Sequence, residues 1–322
     1  MPLILPNNLM AWVILDINMH KIIILKLKYI VPIVFLLVAF PFFFLGGPSD
    51  YSSSLFRSVW DCGHLVFFIA LVIVLSKKFE LRNWCVGLAI SAAVFVGGGL
   101  IELIQSHVGR DGSWNDLLRD LTGTWLGLFW AQRANKWIWL GRVLTVALLI
   151  PNLSSVFYEA RYQLNAIQQF PLLAGYESNI ELYGHGGKIE LSSQFHTQGD
   201  YALKVALTTK QYSGIVFRRM INDWSAYKTL SFDIYNPDPP LFNMTVRVND
   251  VQHKQSGWAT SDRFNRTFSL NQGWNHLSFS LDDIRNGPAK RQMDMSQIMW
   301  AEIFVEKLPV ARTIYLDNLR LE

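Results

Sequence analysis

Residues 61–75 read DCGHLVFFIALVIVL, and this stretch decides how the first half of the chain is built. Beyond its opening Asp61 and His64 it has no polar face at all. A helix that is apolar all round lies in a membrane or in the core of a large protein. About 20 mainly apolar residues span a bilayer, and the run reaches this length when counted over 59–76. Working outward, similar runs occupy 28–46, 84–105, 114–132 and 137–156. The expected fold of residues 28–156 is therefore an α-helical polytopic membrane domain with about five transmembrane helices.

Orientation follows from Lys and Arg in the short loops. Lys21, Lys26 and Lys28 precede the first run, Lys77, Lys78 and Arg82 follow the second, and Arg133, Lys136 and Arg142 flank the junction of the fourth and fifth. The intervening loops carry only Arg57, or Arg110 and Arg119. This alternation places residues 1–27 in the cytoplasm and everything after the fifth helix outside it, with Trp137 and Trp139 suited to an interfacial belt. Met19 is a candidate true start within that first segment. The net charge of +4 is spread along the chain; nucleic-acid binding would need a basic stripe, so none is expected. The two cysteines, Cys62 and Cys85, begin successive runs and hence lie on opposite membrane faces, too far apart for a disulfide.

The polar residues of these runs gather at one end. Asp61 and His64 open the second, Glu102 and Gln105 close the third, and Asp116 and Asp120 open the fourth. In alternating spans all six side chains lie near one membrane face. A charged group at a helix centre costs about 2.5–3.5 kcal/mol on insertion, so such a cluster marks a candidate site. Asp116, Asp120, Gly123 and Gly127 form one stripe, and GTWLG is a small-xxx-small pattern that lets another helix approach closely. Gly97, Gly98 and Gly99 offer a similar flat surface.

The pattern D-x-x-H, E-x-x-Q, then R-x(5)-D-x-x-x-D-x-x-G-x-x-x-G resembles the VanZ-like membrane family, through Asp61, His64, Glu102, Gln105, Arg110, Asp116, Asp120, Gly123 and Gly127. The chain departs from it where Asp-Cys-Gly-His lacks the family's usual Lys, and where Asp120 stands in place of a frequent Asn. The resemblance implies a protein of the bacterial envelope and inner membrane, in a family associated with glycopeptide-antibiotic resistance. Three chemistries fit the residues. Asp61 orients His64 as a general base with Glu102 as second acid–base group; or Asp61, Glu102, Asp116 and Asp120 hold a hard divalent cation that bridges to a lipid phosphate; or the polar groups pair with one another and with Arg110 to lock the helices.

From about residue 177 the periodicity changes to two. YALKVALT, GIVFRRM, TLSFDIYN, FNMTVRVND, NRTFSLN, WNHLSFSL, WAEIFVEK and TIYLDNLRL are short alternating runs bounded by Gly, Asn, Asp and Pro, which predict an all-β sandwich over 176–322. Residues 157–175 are expected to start as a helix and end as a linker. The stretches GDYALKVAL, YSGIVFRRM, DWSAYKTLSFDIYNP, GWNHLSFSLDDI and IYLDNLRL resemble carbohydrate-binding modules of the jelly-roll, galactose-binding-like fold. That resemblance implies a glycan ligand and a structural calcium where the first and last strands meet, for which Glu177 and Asp317 are the expected ligands. Sugars stack on aromatic faces, and Tyr212, Asp233, Tyr235, Arg247 and Trp258 are the candidate binding residues, expected on or near one sheet face. Trp224 and Trp274 are expected in the core. Three functions remain in view: an envelope protein holding an external glycan beside a site for a lipid-linked headgroup, a membrane enzyme of lipid-linked glycan or peptidoglycan metabolism using His64 and Glu102, and a structural or sensory protein with a protein-binding sandwich.

Overall fold

The computed structural model describes residues 30–43, 47–48, 52–76, 78–81, 83–107 and 114–322, the side chains of 105–107 excepted. They fall into two compact units, one of residues up to Pro48 and Arg57–Ser155, the other of Val156–Glu322 together with Ser49–Phe56. The expected cytoplasmic segment 1–27, with Met19, lies outside the described residues.

The first unit is helical: α1 (Ile30–Phe43), α2 (Ser54–Leu75), α3 (Trp84–His107), α4 (Trp114–Ala131) and the first part of α5 (Lys136–Gln169). Among the described residues three helices, not five, are long and apolar enough to cross a membrane: α2, α3 and α5. The 22 residues of α2 extend about 33 Å at 1.5 Å per residue, enough for a hydrocarbon core of about 30 Å. The described part of α1 is too short, and α4 has 18 residues that include Asp116, Arg119 and Asp120. Apolar side chains such as Phe95, Val96, Val143 and Ile150 remain exposed, as lipid-facing residues do. Both cysteines are free.

The second unit is a two-sheet antiparallel sandwich. Its strands are β1 (Leu172–Ala174), β2 (His185–Gly186), β3 (Ile189–Ser192), β4 (Ala202–Leu207), β5 (Tyr212–Phe217), β6 (Thr229–Asn236), β7 (Phe242–Asp250), β8 (Phe264–Leu270), β9 (Gly273–Ser280), β10 (Ile298–Glu306) and β11 (Arg312–Leu321). The first sheet has the order β3-β4-β11-β6-β9, with β1 also on β11; the second has the order β2-β5-β10-β7-β8. Every run read as a strand forms one. The short strands β1, β2 and β3 were not legible, because two to four residues are too few to show an alternation. Inward residues of both sheets, among them Phe217, Phe232, Met244 and Ile303, make one core with Trp224. Trp224 is fully buried as expected, whereas Trp274 on β9 is only half-buried.

The segment expected as helix then linker is helical to Gln169, continuous with α5, and then enters β1, so the sandwich begins at Leu172. No glycine or further proline interrupts 152–169, and Glu159 within this stretch pairs with Arg219 at 3.0 Å.

Candidate functional site

In the helical unit the glycine stripe sets the geometry. A Cβ at Gly123 would lie 2.5 Å from the Leu65 carbonyl oxygen, and one at Gly127 2.7 Å from the Val72 Cβ, so α4 rests directly on α2. A Cβ at Gly98 would meet Leu117 and Asp120, so α3 approaches α4 through that glycine, while Gly97 and Gly99 face open space. With Gly123 against Leu65, Asp120 one turn earlier meets His64: Nδ1 and Oδ1 are 2.8 Å apart, and both residues are buried. The Phe43 ring stands edge-on to the imidazole at 5.0 Å.

Arg119 is the hub of a second set. It contacts Asp116 one turn before it, Asp61 of α2 at 3.0 Å, and the Asn152 side-chain oxygen of α5 at 2.9 Å. The expectation that Asp61 orients His64 is therefore corrected. Asp120 holds the imidazole and Asp61 pairs with Arg119, because successive residues on α4 point about 100° apart. Arg119 was read only as loop charge; its i,i+3 spacing from Asp116 was the available signal. Asp61 and Asp116 meet on the Arg119 guanidinium while Asp120 faces His64, and among the described residues no group of three or more His, Cys, Asp or Glu is arranged to hold a metal ion. Glu102 is half-buried near the end of α3. Arg110 and the Gln105 side chain lie outside the described residues.

In the sandwich the second sheet presents a built outer face. Along β10, Ala301, Ile303 and Val305 point into the core, so Trp300, Glu302 and Phe304 point outward. On β7, Val246 and Val248 point inward and Arg247 outward. The register sets Glu302 opposite Arg247 and Arg247 opposite Asn265. Arg247 pairs with Glu302 at 3.0 Å, donates from Nε to Asn265 at 3.1 Å, and covers the Phe304 ring at 4.5 Å. Tyr212 meets Phe304 edge-on at 5.8 Å, and Trp258 stacks on Trp300 at 5.3 Å. The outcome is an aromatic row, Trp258, Trp300, Phe304 and Tyr212, with an ion pair at its middle. Its ends are open: Trp258 is 44% exposed and Tyr212 54%.

The loop that carries Trp258 is clamped from beneath. Arg291 donates to Asp250 at 2.5 and 2.7 Å and to Asp262 at 2.7 and 2.9 Å. The Arg291 guanidinium holds the Asp262 carboxyl down at about 2. Gly257 and Trp258 both adopt φ of 64°, and the His253 ring meets the indole edge-on at 5.4 Å.

The five expected binding residues do not share a face. Tyr212, Arg247 and Trp258 belong to the second sheet's site, whereas Asp233 and Tyr235 lie on β6 in the first sheet. There they are covered by residues 194–198. Phe195 stacks on Tyr235 at 4.0 Å, Gln194 accepts from Tyr315, and Thr197 donates to Asp233 at 2.7 Å. Burial raises the Asp233 carboxyl, but hydrogen bonds from His276, Thr197 and Asn318 outweigh it, and its pKa lies below the ordinary value. Trp300, Glu302 and Phe304 were missed, although their spacing of two within WAEIF carried the same signal that paired Asp233 with Tyr235.

Glu177 and Asp317 anchor one loop. Glu177 accepts from the Asp200 and Tyr201 amides, and Asp317 from the Thr197, Gln198 and Asn318 amides. Burial raises the Asp317 carboxyl against those donors.

The chain matches no protein-family model and no curated protein. The sandwich is similar to the family 11 carbohydrate-binding module from Clostridium thermocellum, solved in complex with a β-1,3-1,4-mixed-linked tetrasaccharide: 15% identity, 42% of this chain, 85% of that one, TM-score 0.31. It is also similar to the family 30 carbohydrate-binding module of a cellulosomal cellulase of the same organism, with 16% identity, 42% and 82% coverage, and TM-score 0.34. An agarase, AgWH50C, is 17% identical over 47% of this chain and 24% of its own length, with TM-score 0.36. At such identities and scores the ligand of this chain has to be read from its own residues.

Proposed function

We propose that this chain is a membrane-anchored saccharide-binding protein of the bacterial envelope. Its helices hold it in the cytoplasmic membrane with the sandwich outside, and the outer face of the second sheet binds an extended glycan. One observation carries the reading: Trp258 and Tyr212 stand exposed at the two ends of an outward aromatic row, with Arg247, Glu302 and Asn265 between them. Aromatic faces meet the apolar faces of sugar rings, and the polar side chains between them are spaced to bind hydroxyls. The experiment is binding of the full-length protein in nanodiscs to a polysaccharide panel, with Trp258→Ala as the control. Loss of binding in the variant supports the reading; unchanged binding rules out this face.

The buried His64–Asp120 pair supports a second, enzymatic reading for the helical unit, in which Asp120 rather than Asp61 orients the imidazole as a base. A third use of that unit, recognition of a lipid-linked headgroup, draws on the Asp61, Arg119 and Asp116 set. Turnover or binding of lipid-linked saccharides by wild type but not by His64→Ala favours the enzyme; loss in Arg119→Ala alone favours recognition.

A further inference from the structure

Arg263 is a charged group beside the second sheet's outer face that belongs neither to the aromatic row nor to the Arg247–Glu302 pair. It precedes β8 in extended conformation (φ −154°, ψ 165°), next to the core residue Phe264, so its side chain projects to the outer side. It is half-buried, and its Nε is buried without a hydrogen-bond partner. Its side-chain hydrogen bond, Nη2 to Thr260 Oγ1, is long at 3.5 Å. Its charge interacts with those of Arg247, Glu302 and Tyr212. Glu302 is the carboxylate among them, and Arg247 already holds it at 3.0 Å. Burial, followed by the repulsion of Arg247, lowers the pKa of the Arg263 guanidinium. Arg263, Arg247 and Glu302 interact electrostatically and together carry a surplus positive charge, and Arg247 lies on the Phe304 ring of the aromatic row. Guanidinium presents a planar fork of donors that matches carboxylate and sulfate oxygens, and such charge-assisted bonds are the strong ones.

We infer that the glycan bound on this face is acidic: a sugar unit bearing a carboxylate or sulfate places it on Arg263 while neighbouring units lie against the exposed rings of Trp258 and Tyr212. The inference rests on the saccharide reading and narrows its ligand class. Polar residues of an uncharged glycan would leave the surplus charge unmatched.

The test uses the full-length protein in nanodiscs and two matched pairs of probes: polygalacturonate with its carboxyl-reduced form, and a sulfated galactan with its desulfated form. Wild type is expected to bind the charged member of at least one pair about tenfold more tightly, the order of one charge-assisted hydrogen bond. Arg263→Gln is expected to abolish that preference without changing the circular dichroism spectrum, and Arg263→Lys to retain part of it. Trp258→Ala weakens charged and neutral members alike. Rising salt narrows the wild-type preference. Equal binding of charged and neutral members by wild type overturns the acidic-glycan inference and leaves the saccharide reading standing, as does a preference that survives Arg263→Gln. Failure to bind any of the four probes overturns both.

Discussion

Trp258 is held in the left-handed backbone region, at φ of 64°, where bulky side chains are uncommon. A fold keeps such a residue only where its surroundings over-determine it, and here the surroundings are the Arg291 clamp and the stack on Trp300. Truncating an aromatic anchor of a binding face costs about 2 kcal/mol, or roughly thirtyfold in affinity; Trp258→Ala is expected to show that loss by isothermal titration. The clamp also sets a pH dependence. The Asp262 carboxyl sits at about 2 instead of its ordinary 3.8. A depressed carboxyl stabilises the folded loop above its unfolded value, and the contribution disappears as pH falls from about 4 through about 2. Wild-type affinity should therefore decline more steeply over that window than the affinity of Asp262→Asn; parallel curves would count against the clamp. In the helical unit, Asp120→Ala leaves buried His64 without its partner, at a cost of about 1–3 kcal/mol. A thermal-unfolding cycle with His64→Ala should show the two losses to be non-additive.

At the scale of elements, a close approach of some helix to α4 was legible from GTWLG, since small residues let helix backbones meet closely, and the structure gives that place to α2. Gly127→Leu places a side chain where Val72 already stands. Over-packing of that kind costs about 1–3 kcal/mol, so the variant should unfold at lower temperature in detergent while a change at Gly99, which faces open space, should not. The strands of the sandwich were legible wherever six or more residues alternate. The pairing of those strands was not, because consecutive strands such as β4, β5 and β6 cross between the sheets. For this reason Asp233 and Tyr235, read as companions of Tyr212 and Trp258, proved to lie on the other sheet. Alternation tells which residues share a face of one strand, and it says nothing about which sheet the strand joins. The partner of His64 was hidden for a similar reason. Spacing on α2 favoured Asp61, and only the register between α2 and α4 brings in Asp120.

Over the whole molecule the change in composition near residue 156 was plain in the sequence, and the division of the structure falls there. The count of membrane-spanning helices was less plain, since α4 combines the length of a span with three charged residues. In the proposed orientation, read from the Lys and Arg of the short loops, the sandwich lies on the face opposite the N-terminus. The proposed topology therefore predicts that protease added to spheroplasts removes an epitope at the C-terminus while one at the N-terminus survives. The saccharide-binding account stands or falls with the second sheet's outer face. Its most direct test is the binding of nanodisc-held wild type and Trp258→Ala to a panel of neutral and acidic polysaccharides. Binding by wild type that falls roughly thirtyfold in the variant is the predicted result; no binding to any polysaccharide, or binding indifferent to Trp258, would contradict it.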